Sequence, residues 1–375
     1  MPQLILTCDP DFNDLALDEL RRDSVRGVPV AELSAGVWLA ECDDGFWGLA
    51  ESWQTKPPIF VRHLCPVDAV LPLTGTAADI ASLADLTVAD FADALDADLP
   101  YSVQSRVLAP DLPYKPFDLN IALSGALTDA TAAIVDVRAP AQVLSVICAT
   151  FPVDTSPTAD GGQRTADNGR PNPQSPIPHP PSAFLGLSPT DLNLSDWAGG
   201  VRRFAREEGQ ISRAEFKLLE ALEVFRIDLP PRGVALDLGA APGGWTRVLR
   251  QREQFVTAVD PAELDARLAE DKAVRHKRMS AEEYLADEPD EFDLIVNDMR
   301  MDARDSARLL VAYAGQLYRH GLALMTFKLP ADDRKRIIEH AFNILRQRYE
   351  ILGARQLFHN RSEITVFLAV KGRKG

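Results

Sequence analysis

The segment Val234–Trp245, VALDLGAAPGGW, constrains the fold of this 375-residue chain more than any other stretch. An apolar run ends at Asp237, a turn rich in glycine follows, and a helix-like segment begins at Trp245. A strand, a tight glycine turn and a helix start in this order let a nucleotide-like ligand approach backbone N–H groups. The alternative is an ordinary strand-to-helix turn, which also needs glycine. We favour the ligand loop because the turn directly follows an apolar strand, and a side chain at Gly243 would fill the ligand's space.

The rest of the C-terminal half alternates regularly between apolar runs and helical segments. Strands are predicted at 234–238, 255–260, 273–279, 292–298, 321–328, 350–358 and 363–370. Helices are predicted before and between them at 213–225, 243–250, 263–270, 281–286, 305–318 and 332–347. This alternation predicts an α/β fold, with a Rossmann-like parallel sheet of seven strands and helices on both faces. The short 359–362 turn predicts that the last two strands form an antiparallel hairpin.

The N-terminal half has a different pattern. Residues 1–72 read β-α-β-β-α-β, with the last strand at 58–63, which predicts a ferredoxin-like α+β domain. Residues 73–151 predict a second α+β domain, with helices at 77–95 and 116–127 and strands at 101–108, 132–137 and 143–151. Residues 152–182 hold eight prolines and predict a flexible linker. The C-terminal α/β domain is therefore expected at 183–375.

Charge is distributed unevenly between the two halves. Residues 1–182 hold 10 Lys and Arg against 25 Asp and Glu, whereas residues 183–375 hold 30 of each, so the net charge is −15. An RNA-binding protein normally shows a basic surface, so the acidic N-terminal half argues against tight RNA binding by that half.

Composition also limits the cellular compartment and the kinds of site that we expect. Hydrophobic residues at 46% fit a soluble globular protein. No apolar run reaches the roughly 18 residues that span a bilayer, and the N-terminus does not resemble a signal peptide. Cys8, Cys42, Cys65 and Cys148 are far apart and form no CxxC pair, so we expect reduced thiols, no metal site, no membrane partner and a cytoplasmic location.

Polar residues follow several of the predicted strands, and ligands of such sheets bind at the carboxyl ends of the strands. Asp260 ends the second strand, where it could accept both hydroxyls of a ribose. The alternative is a helix N-cap before Pro261. Ser280, after the third strand, fits an adenine contact and a helix N-cap equally well.

Two lysines and two acids are expected at the same edge of the sheet. Asp298 and Lys328 end the fourth and fifth strands, Glu363 begins the last strand, and Lys217 lies on the helix before the first. A buried lysine costs several kcal/mol unless it is paired. Taken singly, each of these residues would be a structural ion-pair partner. Together they solve the burial problem and form a group that can handle protons.

These stretches resemble a known family. DLGAAPGGW and the Lys-Asp-Lys-Glu order resemble the cofactor loop and catalytic tetrad of FtsJ-like RNA ribose 2′-O-methyltransferases. AFLGLSP, ISRAEFKLLEA, TFKLP and LFHNRSEITVFLAV resemble the RlmM-type branch, which methylates a ribose 2′-hydroxyl of a cytidine in large-subunit ribosomal RNA. The family has Cys at Ala241 and an acid near Ser280. The resemblance extends to the N-terminal half, where residues 73–151 resemble a THUMP-like RNA-binding domain.

The resemblance implies S-adenosyl-L-methionine as cofactor and RNA, not DNA, as partner. It implies catalytic roles for Lys217, Asp298, Lys328 and Glu363. Lys328 is then the candidate general base, or a charged group that stabilises the developing alkoxide. The implied cofactor-binding residues are Ser212, Asp237, Gly239, Ala241, Pro242, Gly243, Gly244, Trp245, Asp260, Ser280 and Asp298.

Three alternatives remain at the level of sequence. One is a 2′-O-methyltransferase acting on transfer RNA or another ribosomal site. Another is a non-catalytic RNA-binding or ribosome-assembly protein, although four ionisable groups at buried strand ends argue against it. The third is a small-molecule methyltransferase, in which the THUMP-like half would have no role. The sequence leaves the oligomeric state open.

Overall fold

A computed structural model describes residues 1–22, 26–151, 180–287 and 289–372. The chain divides into two compact units. The first unit comprises Met1–Pro10, Leu17–Lys56 and the described part of His63–Gly200, and the second comprises Asp11–Ala16, Pro57–Arg62 and the chain from Val201 onward. Residues 152–179, most of the predicted linker, lie outside the described residues. Within the described ranges, every helix is too short or too polar to cross a membrane.

The first unit begins with a four-stranded antiparallel sheet. Its elements are β1 (Gln3–Thr7), α1 (Asn13–Leu20), β2 (Gly27–Ser34), β3 (Val37–Cys42), α2 (Gly45–Thr55) and β4 (His63–Val67). The predicted β-α-β-β-α-β order is present, and the strand order is β2-β3-β1-β4. The predicted last strand at 58–63 is wrong. Pro57 and Pro58 have no N–H to donate to a ladder, and pairing with β1 starts where His63 meets Thr7.

A second four-stranded sheet lies in the same unit. Its elements are β5 (Ala69–Pro72), α3 (Ala78–Phe91), β6 (Tyr101–Val107), α4 (Pro116–Thr131), β7 (Gln142–Ala149) and β8 (Ser182–Pro189). The order is β5-β8-β7-β6, and only β6 and β7 run parallel. The predicted strand at 132–137 is wrong. Ala132 ends α4 in a left-handed conformation, and beyond it Val135 forms an isolated bridge to Tyr101.

Strand β8 changes the expected domain boundary. It pairs along its length with β7, and Ser182–Leu185 also pair with β5. The chain therefore returns to the N-terminal unit after the proline-rich segment. For this reason, the first unit extends to Gly200, although the C-terminal domain was predicted to start at residue 183.

The second unit is built on a seven-stranded sheet. Its strands are β9 (Val234–Leu238), β10 (Phe255–Val259), β11 (Val274–Lys277), β12 (Phe292–Asn297), β13 (Leu317–Lys328), β14 (Tyr349–Arg355) and β15 (Glu363–Val370). Its helices are α5 (Glu215–Val224), α6 (Gly244–Gln251), α7 (Ala266–Ala269), α8 (Ala281–Ala286), α9 (Ala303–Ala312) and α10 (Arg334–Leu345). The order is β11-β10-β9-β12-β13-β15-β14, and β15 is antiparallel to both neighbours. The predicted Rossmann-like sheet with an antiparallel final hairpin is confirmed.

This topology places the predicted site residues at one edge of the sheet. Strands β9, β10, β12 and β13 are parallel, so their carboxyl ends open on the same side. Because β15 runs the other way, its first residue, Glu363, pairs directly with Lys328 at the end of β13. The turn after β9 needs glycine at Gly239, whose φ is +73° and where a Cβ would lie 2.4 Å from Met299 Cγ.

Candidate active site

Two lysines and two acids form an alternating ring at this edge, and we call Lys217, Asp298, Lys328 and Glu363 the tetrad. Lys328 Nζ lies 2.5 Å from Asp298 Oδ1 and 3.1 Å from Glu363 Oε1. Lys217 Nζ lies 3.2 Å from Asp298 Oδ2 and 2.7 Å from Glu363 Oε2. Each lysine therefore contacts both acids, and the two positive charges balance the two negative ones.

Electrostatics keeps part of the tetrad charged. Burial alone would lower the pKa of Lys217, but the carboxylates of Asp298 and Glu363 outweigh it and raise that pKa. Burial would raise the pKa of Asp298, but the ammonium groups of Lys328 and Lys217 lower it instead. The four side chains are 13–21% exposed, so solvent screens these interactions only partly.

A threonine that the sequence analysis missed supports the tetrad. Thr326 is two residues before Lys328 on β13, so both side chains lie on the same face of the strand. Its hydroxyl lies 2.6 Å from Asp298 Oδ1 and 2.7 Å from Lys328 Nζ. By donating to the carboxylate and accepting from the amine, this hydroxyl fixes the distance between the two groups.

The tetrad borders a cavity of about 870 Å³ in the second unit. The predicted cofactor residues that line it are Ser212, Asp237, Gly239, Ala241, Pro242, Gly244, Trp245, Asp260 and Asp298. The other lining residues are Arg213, Ala214, Phe216, Lys217, Ala240, Pro261, Met299, Arg300, Lys328, Phe358, His359, Asn360, Arg361 and Glu363. The structure therefore brings together every predicted site residue except Gly243 and Ser280.

The backbone N–H groups of the glycine turn are already used inside the protein. Gly239 and Ala240 donate to the carbonyl of Val259 at 2.9 and 3.2 Å. Ala241 donates to Asp260 Oδ2 at 3.1 Å. The turn therefore contributes a close-fitting wall to the cavity, and these three donors are not directed at it.

Gly243 is not among the residues that line the cavity, so its predicted contact with the cofactor stays a prediction. Its φ is +113°, and a Cβ there would lie 2.2 Å from Leu268 Cδ1. It allows the chain to enter α6 beside Leu268, and a side chain would first disturb this packing. Ser280 also lies away from the cavity, where its hydroxyl accepts from Glu283 N and caps α8. Of the two roles considered for Ser280, the structure shows the N-cap.

Two acids line the cavity with their carboxylates partly engaged. Asp260 accepts from Ala241 N at 3.1 Å and from Ala262 N at 2.8 Å while it lines the cavity. The alternative helix N-cap is not present, because the next helix, α7, begins at Ala266 and has Asp265 as its N-cap. Asp237 is fully buried and accepts from Thr246 Oγ1 at 2.6 Å. Burial raises the pKa of Asp237 to about 7.

Ser212 provides a test of whether the cavity suits a polar ligand. Its hydroxyl is buried at the cavity wall and has no hydrogen-bond partner in the described structure. Glu215 fixes this segment, because its Oε1 accepts from Ile211 N at 2.6 Å and from Ser212 N at 3.2 Å. The S-x-x-E spacing of Ser212 and Glu215 is the sequence signal for this contact. An unsatisfied hydroxyl on a fixed wall suits a ligand with polar groups.

The loop between β14 and β15 closes the other end of the site and was missed at the sequence level. Glu220 on α5 accepts from Phe358 N and from His359 N, both at 2.8 Å. Arg62 donates to Gln356 Oε1 at 2.7 Å and to the carbonyl of Leu357 at 3.1 Å. Glu220 and Arg62 are far from the loop in sequence, so no local pattern could have indicated these contacts.

Residues 210–344 match the family profile described as FtsJ-like methyltransferase. The chain carries an FtsJ-like methyltransferase domain. The matched residues include Lys217, Asp298 and Lys328 of the tetrad, and Glu363 lies beyond them.

Curated relatives confirm the resemblance to the RlmM type. The chain is 34% identical over 187 residues to "Ribosomal RNA large subunit methyltransferase M" of Halorhodospira halophila, covering 49% of this chain and 53% of the relative. It is 34% identical over 199 residues to the protein of the same name from Methylococcus capsulatus, covering 50% and 55%. The chain thus spans about half the length of the curated relatives that it matches.

Among solved structures, TrmN from Thermus thermophilus aligns over 99% of this chain and 100% of its own, with 17% identity and a TM-score of 0.36.

Within the described residues, no cluster of His, Cys, Asp and Glu is arranged to hold a metal ion. The four cysteines there are buried free thiols.

Proposed function

We propose that the protein is an S-adenosyl-L-methionine-dependent RNA ribose 2′-O-methyltransferase, acting on a cytidine of large-subunit ribosomal RNA. The observation that carries the proposal is the charge-balanced tetrad, which lines the same cavity as the glycine turn. Two lysines and two acids at strand ends beside a ligand cavity suit an oxygen nucleophile that must lose a proton. The match to an FtsJ-like methyltransferase domain supports the same chemistry.

The cavity residues fit this cofactor. The free hydroxyl of Ser212 and the positive end of α6 suit its charged amino-acid end. The Asp260 carboxylate suits ribose hydroxyls, and Gly239–Pro242 and Gly244 leave room for a flat nucleoside. The bound cofactor would supply an electrophilic methyl group.

The tetrad would do the proton chemistry. After its ammonium group has released one proton to solvent, Lys328 Nζ would take up the proton that the ribose 2′-hydroxyl loses as its oxygen becomes a nucleophile. Lys217, whose pKa is raised, stays charged and stabilises the negative charge that develops on this oxygen. Asp298 and Glu363 hold both amines in place, and Thr326 fixes the contact between Asp298 and Lys328. Orientation and proton transfer are then the two contributions of this chain.

The substrate and the N-terminal half belong to the same proposal. The relatives are named as large-subunit ribosomal RNA methyltransferases, and we assign this chain the same RNA class. We propose that β1–β4 with α1 and α2 form a ferredoxin-like domain, and that β5–β8 with α3 and α4 form a THUMP-like domain that orients RNA. Catalysis would take place in the cytoplasm, where ribosomal RNA is assembled in bacteria.

Transfer of labelled methyl groups tests the proposal. Purified protein is incubated with labelled S-adenosylmethionine and, separately, with ribosomal RNA, transfer RNA and small nucleosides. We expect label in large-subunit RNA, at a cytidine whose 3′ linkage resists alkaline hydrolysis. Lys328→Ala should abolish the signal, and Lys272→Ala, at an exposed lysine outside the cavity, should not. Label confined to transfer RNA or to nucleosides would contradict the RNA class, and no label in any pool would contradict the activity.

A further inference from the structure

The cavity has an aromatic end that the proposed chemistry does not use. Phe216, Phe358 and His359 line it and are only half-buried. The ring centroids of Phe216 and His359 are 5.1 Å apart, as are those of Phe358 and His359. Phe204 stacks on Phe216 from outside the cavity, at 5.7 Å. Partly exposed rings at the wall of a polar cavity are a platform for a flat apolar surface.

The order of the strands places this aromatic end relative to the chemistry. Along the edge of the sheet, the order is β10, β9, β12, β13, β15 and β14. Most of the proposed cofactor residues follow β9 and β10, and Ser212 precedes α5. Three tetrad residues follow β12, end β13 and begin β15, and Phe358 and His359 lie between β14 and β15. The tetrad therefore separates the cofactor end of the site from its aromatic end.

Covalent geometry then restricts where the acceptor nucleotide can lie. A reacting 2′-hydroxyl must be at the tetrad, and the nucleobase is attached to the neighbouring ribose carbon. The base must consequently lie within one sugar's reach of Lys328 and Glu363. Because the proposed cofactor residues are concentrated on the β9–β10 side, the aromatic end is the part of the cavity that would remain for the base.

Hydrogen bonds from other parts of the second unit hold the backbone of the aromatic end. Glu220 holds the backbone of both loop residues through two 2.8 Å hydrogen bonds. The Arg62 guanidinium lies 5.7 Å from the Phe358 ring centroid. Asn360 Oδ1 accepts from Leu357 N at 2.9 Å and from Thr365 Oγ1 at 3.1 Å. Burial lowers the pKa of His359, so its ring is uncharged near neutral pH.

We infer that Phe216, Phe358 and His359 form a nucleobase subsite, which stacks on the base of the nucleotide whose ribose is methylated. The inference rests on the proposed function and deepens it, because it assigns the residues that bind the acceptor base. Any base can stack on an aromatic side chain, so this subsite supplies binding and orientation of the acceptor nucleotide. Selectivity for the RNA sequence must come from other contacts.

A binding cycle with an abasic RNA tests the subsite. The RNA is a fluorescent oligonucleotide spanning the nucleotide that is methylated in the transfer assay, or, if no transfer is found, a cytidine oligonucleotide. A matched RNA has an abasic site at the acceptor position. Affinities for both are measured by anisotropy with S-adenosylhomocysteine present, for wild type, Phe358→Leu and Phe255→Leu. Phe255 is an exposed aromatic residue at the opposite end of β10 and serves as the control.

We expect loss of the base to weaken binding to wild type and to Phe255→Leu by about 5- to 150-fold, as for one stacked base. Phe358→Leu should weaken binding of the intact RNA similarly and bind both RNAs almost equally. Unchanged thermal stabilisation by S-adenosylhomocysteine would show that this variant is folded. Equal sensitivity of Phe358→Leu and wild type to the abasic site would overturn the subsite, as would RNA that does not bind at all.

The two proposals fail separately. Methyl transfer without any coupling between Phe358 and the acceptor base would refute the subsite and leave the methyltransferase proposal intact. Coupled binding without methyl transfer would refute the activity and leave the base subsite in place.

Discussion

Lys328 offers the sharpest test of the tetrad, beginning with the change to alanine. This change removes the 2.5 Å contact to Asp298 and the 3.1 Å contact to Glu363 and leaves the tetrad with one uncompensated negative charge. Removing one partner of a fully buried ion pair costs roughly 3–5 kcal/mol. Because the side chains are 13–21% exposed and Lys217 still contacts both acids, we expect a loss of about 1–3 kcal/mol in the free energy of unfolding.

The effect on the rate should be larger than the effect on stability. Loss of a general base costs about 10²–10⁴ in rate, or roughly 3–5 kcal/mol in the activation free energy. The assay is single-turnover methyl transfer with saturating RNA and cofactor, beside denaturant unfolding of the same samples. Cofactor affinity should be nearly unchanged, because Lys328 ends β13, whereas most of the proposed cofactor residues follow β9 and β10. The double variant Lys328→Met/Glu363→Gln restores neutrality, so it should recover stability without recovering the rate.

Lys328→Arg separates the two roles that a lysine can have here. Arginine keeps the positive charge but cannot lose its proton at accessible pH. A general base requires a titratable amine, so this variant should be almost as slow as Lys328→Ala. A group that only stabilises charge should tolerate arginine. A near-wild-type rate for Lys328→Arg would refute the general-base assignment and leave the methyltransferase proposal standing.

Three further changes test the residues and segments that support the site. Glu220→Gln keeps only one of the two acceptor oxygens that hold the loop at Phe358 and His359, so kcat/KM for RNA should fall about 5- to 150-fold with cofactor affinity unchanged. Glu339→Gln, at an exposed position of α10, is the control, and an equal loss in both variants would contradict the role. Burial raises the pKa of Asp237 to about 7 in the folded protein, whereas an exposed aspartate titrates at ~3.9, so the folded state holds more protons between these pH values and its stability falls as pH rises through them. Asp237→Asn should therefore be more stable than wild type above pH 7, by about 1.4 kcal/mol for each pH unit between the two pKa values, and the difference should vanish near pH 4 in denaturant titrations. A fragment of residues 201–375 lacks the Phe12–Phe60 stack and the Arg62 hydrogen bonds. The midpoint of its unfolding in urea should therefore lie below that of the second unit in the full chain. Equal midpoints would show that these segments add no stability.

The sheet of the second unit was predictable because its signals are local. Each strand is an apolar run and each helix has its own periodicity, so the alternation of strands and helices alone predicts a parallel sheet. Strand β8 was not predictable in this way. Its partners β5 and β7 precede a proline-rich segment, and pairing across such a distance leaves no local pattern. The apolar residues Ile134 and Val137 resembled a strand, yet both are exposed in the structure.

The tetrad was predictable for the same reason as the sheet. Asp298 and Lys328 end parallel strands, so the fold brings them together whatever the intervening chain does. Glu220 and Thr326 could not be predicted, because an acid in a helix and a threonine in a strand have no distinctive spacing. Their roles depend on contacts that exist only after α5, β13 and the β14–β15 loop have packed together. Gly243 shows the converse, since a recognisable glycine proved to serve the entry into α6.

The unequal surroundings of the two lysines indicate how a proton could leave the site. Asp298 has a lowered pKa, so it stays ionised and is a poor place to store the proton that Lys328 receives. Lys217 is held charged by both acids and cannot accept one either. Lys328 is the more exposed of the two amines, at 21% against 15%. In the proposed reaction, the proton would therefore pass from Lys328 to solvent. The proposal thus assigns charge stabilisation to Lys217 and proton transfer to Lys328.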